Sequence, residues 1–159
     1  MLPTANADDI LFELDSVVEY IREYSPDSTF LKQNVPLKPK KDTFVIRFQN
    51  ASVVEETAIS YVDTREWAIV YIGGDQSNDV SDVLTKMNGI KRKVYGDIRR
   101  VIPIKNNLRY MRAKGFTFGQ PVRMENGNHA AVGILTTEVR KARDLETYEK
   151  IMRTGVRRG

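Results

Sequence analysis

The sequence predicts an α+β fold, a mostly antiparallel sheet with two long helices packed on it and a short C-terminal helix. Three observations carry this. Apolar residues recur every three or four positions from Ile10 to Ile21 and again from Val80 to Val94, the spacing of an amphipathic helix. Elsewhere the period falls to two, or the chain runs continuously through β-branched and aromatic residues, as strands do. The strand-like runs come in groups between isolated helices, which favours an antiparallel sheet over alternating βαβ units. The predicted order is α-β-β-β-α-β-β-α.

Asn6 can cap the first helix, and Asp8 and Asp9 in its first turn oppose the positive end of the dipole. Ile10, Leu14, Val17, Val18 and Ile21 form its apolar face. Glu13, Asp15, Glu19, Arg22 and Glu23 fall mostly between them, and Ser25-Pro26-Asp27 ends the helix near Tyr24. Residues 25–42, with Pro36 and Pro39, read as an extended surface connector. From Thr43 the period is two, with Phe44, Ile46 and Phe48 on one side and Arg47 and Gln49 on the other. A second β-rich run, residues 52–62, is interrupted by Glu55 and Glu56 and leads into residues 64–72. That last run is apolar on both faces, so it should be central, with Trp67 and Ile69 as core anchors.

Residues 73–78, Gly-Gly-Asp-Gln-Ser-Asn, form a turn in which Ser77 or Asn78 can cap the second helix. Val80, Val83, Leu84, Met87, Ile90 and Val94 make its stripe, with Leu84 and Met87 as further core anchors, and Gly96 ends it. After a short apolar segment at residues 101–104, β runs at 108–118 and 129–140 flank Asn126-Gly127, a tight-hairpin dipeptide. Asp144 can cap a last short helix carrying Leu145, Tyr148, Ile151 and Met152, and residues 154–159 form a frayed basic tail. The 159 residues are expected to make one domain.

Composition excludes several chemistries. With 41% hydrophobic and 29% charged residues the chain is an ordinary folding polypeptide rather than a disordered one. It has no cysteine, which removes disulfides, thiolate zinc sites, iron–sulfur clusters and thiol nucleophiles. No apolar run approaches the ~20 residues of a membrane helix, and the first residues are acidic where a secretory signal is basic, so no membrane partner is expected. The single histidine, His129, reads as an exposed loop residue beside the hairpin turn. Gly73-Gly74 precedes a helix, but neither phosphate-loop spacing is present, and Asp75 and Asp79 would repel a phosphate. Asp75, Asp79 and Asp82 could conceivably gather a divalent ion, although favourable placement at a helix start accounts for such acids without a metal. No catalytic residue, cofactor or metal is expected, and the chain is not expected to be an enzyme.

Charge is segregated. Residues 1–35 hold seven acids against Arg22 and Lys32, a net of −5, whereas residues 86–123 hold eleven bases against Asp97, a net of +10. Such a segment draws polyanions, or is simply a solvated face. Within it, residues 109–118 interleave Tyr110, Phe116 and Phe118 with Arg109, Arg112 and Lys114. That is the pattern of a strand that stacks bases and contacts phosphates, and it gives an alternative function as a nucleic-acid-binding module. It is also the pattern of an edge strand with core aromatics and solvated bases.

Several strings, taken in order, resemble the tail-terminator, or tail-completion, proteins of long-tailed bacteriophages. They are Arg65-Glu66-Trp67-Ala68-Ile69-Val70-Tyr71-Ile72-Gly73, Asp82-Val83-Leu84-Thr85-Lys86-Met87, Val101-Ile102-Pro103-Ile104, Leu108-Arg109-Tyr110-Met111-Arg112, Phe116-Thr117-Phe118, and residues 132–140 with 146–151. The resemblance covers most of the chain from Thr43 onward. It implies a non-enzymatic virion protein of the tail and neck, assembled in the cytoplasm of the bacterial host. Copies would form a homo-oligomeric ring, commonly of six, that caps the tail tube and joins it to the head. The implied partners are the tail-tube protein, a head-completion or connector protein, and genomic DNA, touched weakly and without sequence preference as it passes through the lumen. Arg99, Arg100, Lys105, Arg109, Arg112 and Lys114 are the candidates for lumen or ring interface. The acidic first helix and the basic central segment would supply opposite signs for head-to-tail contacts.

Overall fold

Helix α1 spans Asn6–Tyr24 and ends where the periodicity ends. It is followed by strands β1 (Thr29–Lys32), β2 (Thr43–Glu55) and β3 (Ser60–Ile72), helix α2 (Asp79–Gly96), and strands β4 (Val101–Pro103), β5 (Tyr110–Phe118), β6 (Val122–Arg123) and β7 (His129–Ala142). This computed structural model describes residues 6–104 and 109–142. The proposed C-terminal helix after Asp144 and the basic tail lie outside the described residues.

The class is α+β, built on one mixed sheet in the order β1-β2-β3-β7-β5-β4, with β6 pairing β7. All pairings are antiparallel except β1 with β2. Both helices cover the same face. Phe44 and Ile46 of β2, Trp67, Ile69 and Tyr71 of β3, Ala131 and Leu135 of β7, and Met111 and Phe116 of β5 meet Leu14, Val17 and Ile21 of α1 and Val83, Met87 and Ile90 of α2. Trp67 anchors this core as expected, its indole N–H donating to Thr137 Oγ1 at 2.9 Å in a fully buried pair. Among the described residues the other face carries a small cluster of Val45, Val70, Ile72 and Ala130, with Leu31, Val35 and Met124 packed against it.

Four readings need correction. The connector 25–42 is not wholly a surface loop, because Thr29–Lys32 adds a parallel edge strand whose register pairs Phe30 with Phe44. The run at 52–62 is not a separate strand. Glu55 still pairs with Tyr61 at the end of one long hairpin, because a strand that has left the core needs no apolar residues to stay paired. Leu84 is no core anchor but 42% exposed. The buried stripe of α2 is Val83, Met87, Ile90 and Val94, and Leu84 sits one residue, about 100°, round from its axis. His129 is not in a loop: half-buried, it opens β7, accepts a hydrogen bond from Gly73 N at 2.8 Å and donates its own N–H to Gly74 O at 2.9 Å.

The turn before α2 also has a packing explanation. A Cβ at Gly73 would meet the Val83 side chain at 2.8 Å, and one at Gly74 would meet the Asp79 carboxylate at 2.2 Å, so the glycine pair admits the start of α2 to the sheet. Asn78 occupies the cap position without a side-chain bond. Instead Asp79 Oδ2 accepts from Gln76 N at 2.9 Å, while Oδ1 lies 3.3 Å from Lys41 Nζ. The bond from Gln76 is the main reason this carboxylate titrates below its ordinary range. Gly127 takes φ +96° in the turn between β6 and β7, the left-handed region glycine tolerates best.

Candidate interaction surface

Two exposed patches stand out at one end of the sheet, and Ile59 of the first and Arg109 and Tyr110 of the second line a common groove with Arg140. The first is an arm. Past the register shift between Phe48 and Asn50, β2 stays paired with β3, which is itself paired with β7 as far as Ser60 and Ala142, and residues 50–59 of this ribbon are all exposed. The ribbon carries Val53 and Val54, each 58% exposed, and Ile59 at its tip, beside Glu55 and Glu56. Thr57 closes the tip by accepting from Ser60 N through its Oγ1 at 3.0 Å and donating its own N–H to Ser60 O at 3.0 Å. Arg140 of β7 grips Glu56 through two N–H donors, at 2.8 and 2.6 Å, and this pairing raises the guanidinium pKa. A ribbon of this length exposing three large aliphatic side chains is an unusual expense for an isolated chain, because exposed edges and apolar patches invite association.

Under the root of the arm lies a buried charge cluster. Glu13 of α1 is 1% exposed, with neither carboxylate oxygen hydrogen-bonded, and its Oε1 sits 3.5 Å from Arg65 Nε. Arg65 also pairs with Asp63 at 3.3 Å, and Lys141 approaches Asp63 at 3.8 Å. Burial pushes the Glu13 pKa up, opposed by Arg65 and Lys141. Glu13 had read as a side-of-helix residue. Its partners were legible in β3, where Asp63 and Arg65 share the two-residue period of Trp67 and Ile69 and so must face the helices.

The second patch is the corner formed by the end of α2, the turn at residues 97–100, β4 and the start of β5. Ile98 is 98% exposed, and Tyr95, Val101 and Tyr110 are also exposed. Register places Val101 opposite Arg112 and Pro103 opposite Tyr110. Arg99, Arg109 and Arg112 are exposed around these apolar groups. Arg100 is half-buried and structural: it takes φ +52°, accepts from Ala113 N at 2.7 Å, donates to Lys114 O at 3.2 Å and lies 4.9 Å from the centre of the Tyr95 ring. Lys114 reaches Glu138 at 3.4 Å. Of the six basic candidates, then, Arg99, Arg109 and Arg112 gather at the corner, Arg100 is committed to holding it, Lys114 is paired, and Lys105 lies outside the described residues.

The aromatic residues of the 109–118 run separate by face. Phe116 is buried against α2, Phe118 packs against the same core, and Tyr110 alone of the three is exposed. The acids of α1 are largely used within the chain: Asp15 pairs with Lys32, Glu19 with Arg22, and Glu23 with Lys93 at 3.1 Å. Among the described residues no group of three or more His, Cys, Asp or Glu side chains could hold a metal ion, and no helix is long and apolar enough to cross a membrane.

No protein-family description matches the chain, and no curated protein matches it. Solved structures do. One, whose name states no function, aligns over 89% of this chain and all of its own length, with a TM-score of 0.51 and 13% identity. At that identity the likeness shows a shared fold and nothing about activity.

Proposed function

We propose that this chain is a structural subunit of a bacteriophage neck, a tail terminator that works by assembling and not by turning over a substrate. Copies form a ring, of six in the favoured arrangement, that caps the finished tail tube, receives the head-completion or connector protein above it, and lets DNA slide through its lumen. The protein would then reside in the virion after assembly in the bacterial cytoplasm. The supporting observation is the exposed apolar surface at one end of the sheet, Val53, Val54 and Ile59 on the arm and Val101 and Tyr110 at the corner, because such surface on a folded chain marks a site of association. The ordered strings from Arg65 to Ile151 add the family resemblance. Light scattering of the purified chain, alone and with tail-tube ends, tests the reading: a discrete ring-sized species is expected, and a chain that stays monomeric in both settings refutes it.

A second reading, a nucleic-acid-binding module, is favoured by one feature, the exposed Tyr110 between Arg109 and Arg112. It requires measurable affinity for DNA or RNA at physiological salt that falls when Arg109, Arg112 and Lys114 become alanine, and undetectable binding removes it.

A further inference from the structure

We infer that the groove between α1 and the edge strand β4 binds an extended polypeptide segment of a protein partner, which adds itself to β4 and sets a basic side chain among the carboxylates of α1. The inference goes beyond the ring reading and does not depend on it.

Strand β4 ends the sheet and, among the described residues, pairs only with β5. Ala113 N donates to Arg100 O at 2.7 Å and Ile104 N to Arg109 O at 3.0 Å. The even-numbered residues therefore turn their main chain to β5, while Val101 and Pro103 turn theirs away. This outer row offers the N–H and C=O of Val101 and the C=O of Pro103. Pro103 has no N–H, which holds any added strand to a short segment and guards the edge against open-ended association. Edge strands capture extended peptides in this way, main-chain bonds giving affinity and adjoining pockets giving selectivity.

Such a pocket adjoins β4. A cavity of about 620 Å³ is lined by Val101 and Pro103, by Glu19, Tyr20 and Glu23 of α1, and by Asp97 just after α2. Each acid commits one oxygen inside the chain, Glu19 Oε1 to Arg22, Glu23 Oε2 to Lys93 and Asp97 Oδ1 to Arg99 N. A carboxylate can take further donors on its other oxygen. Three carboxylates against Lys93 leave the lining negative, which favours a cation. A second observation points to a ligand. Tyr20 is 6% exposed, and its hydroxyl has no hydrogen-bond partner among the described residues. Burial first, then Asp97 and Glu23, push its pKa up to about 12, so both carboxylates act on the hydroxyl. Lys93 Nζ lies 4.5 Å from the centre of the Tyr20 ring and 3.1 Å from Glu23, which shows how an aromatic face and an acid hold a cation here. An incoming basic side chain that takes Glu23 over from Lys93 would lay its stem on Val101 and Pro103 and bring a donor to the Tyr20 hydroxyl.

The probe is a capped peptide, Thr-Val-Arg-Val-Arg-Val-Thr, followed by amide chemical shifts of the full chain and by fluorescence anisotropy of a labelled copy. Saturable binding is expected, with shifts at Val101 and from Glu19 to Glu23. Putting glutamate in place of both arginines, or methylating the main-chain nitrogens of the peptide, should abolish it. In the protein, Glu19→Gln with Glu23→Gln should weaken binding about tenfold, with circular dichroism showing an unchanged fold. Absence of a shift at Val101 with millimolar peptide, equal binding of the glutamate peptide, or unchanged affinity of the double variant overturns the proposal. Light scattering of the same samples reads ring formation separately, so either reading can fail alone.

Discussion

The bond between Trp67 and Thr137 ties the two central strands together beneath the arm, and its removal should be measurable. Thr137→Val keeps a β-branched side chain of almost the same shape in the strand and takes away the acceptor that the fully buried indole N–H reaches at 2.9 Å. A buried unsatisfied donor costs about 1–3 kcal/mol. With each kcal/mol worth roughly 2–4 °C for a chain of this size, a central loss of about 2 kcal/mol should lower the melting temperature by roughly 4–8 °C. Trp67→Phe removes the donor and leaves a partly filled cavity, at a cost of about 2 kcal/mol or more. The double variant retains no unmatched polar group, so its loss should fall short of the sum of the single losses by about 1 kcal/mol. Urea unfolding followed by circular dichroism gives all four corners of the cycle. A neutral Thr137→Val, or strict additivity, would refute the claim that this hydrogen bond matters to the core.

Two further expectations follow from the same core. At Gly133 an added Cβ would sit 2.3 Å from Phe116 Cζ and 2.8 Å from Met87 Cε, so Gly133→Ala should cost about 1–3 kcal/mol by overpacking, and Phe116→Leu in the same chain should recover part of it in thermal unfolding. Glu13 is held above its ordinary value of 4.5 by burial, so the folded state keeps this proton to higher pH than the unfolded chain does. The stability of the native chain relative to Glu13→Gln should therefore be greatest below pH 4.5 and fall as pH rises through the folded-state value; parallel urea midpoints from pH 4 to 8 would contradict this.

What could be read in the sequence were the elements whose patterns are set by one packed face. Both long helices end where their periodicity ends, at Tyr24 and Gly96, because each turns a single stripe to the sheet. The central strand was legible because Trp67 to Ile72 is apolar on both faces, and all six of these residues are buried. Strand β1 was not, because four residues between prolines at 26 and 36 become a strand only through a parallel partner that begins eleven residues later. The arm was hidden for a related reason: Glu55 and Glu56 look like an interruption until β3 is seen to pair alongside them. In the 109–118 run the mixture of aromatic and basic residues was plain, but their division between faces depends on the register shift between Ala113 and Gly115, which no local pattern announces. Leu84 failed as an anchor because a stripe drawn with i, i+3 and i+4 spacings includes residues at its rim, and the sheet reaches only the middle.

Electron microscopy of particles made without this chain addresses most directly the idea that it acts as an assembled joint. Unjoined heads and tails, with tubes of irregular length, are predicted, and supplying the native chain in trans should restore joined particles. Tubes of uniform length attached to filled heads in its absence would contradict the account.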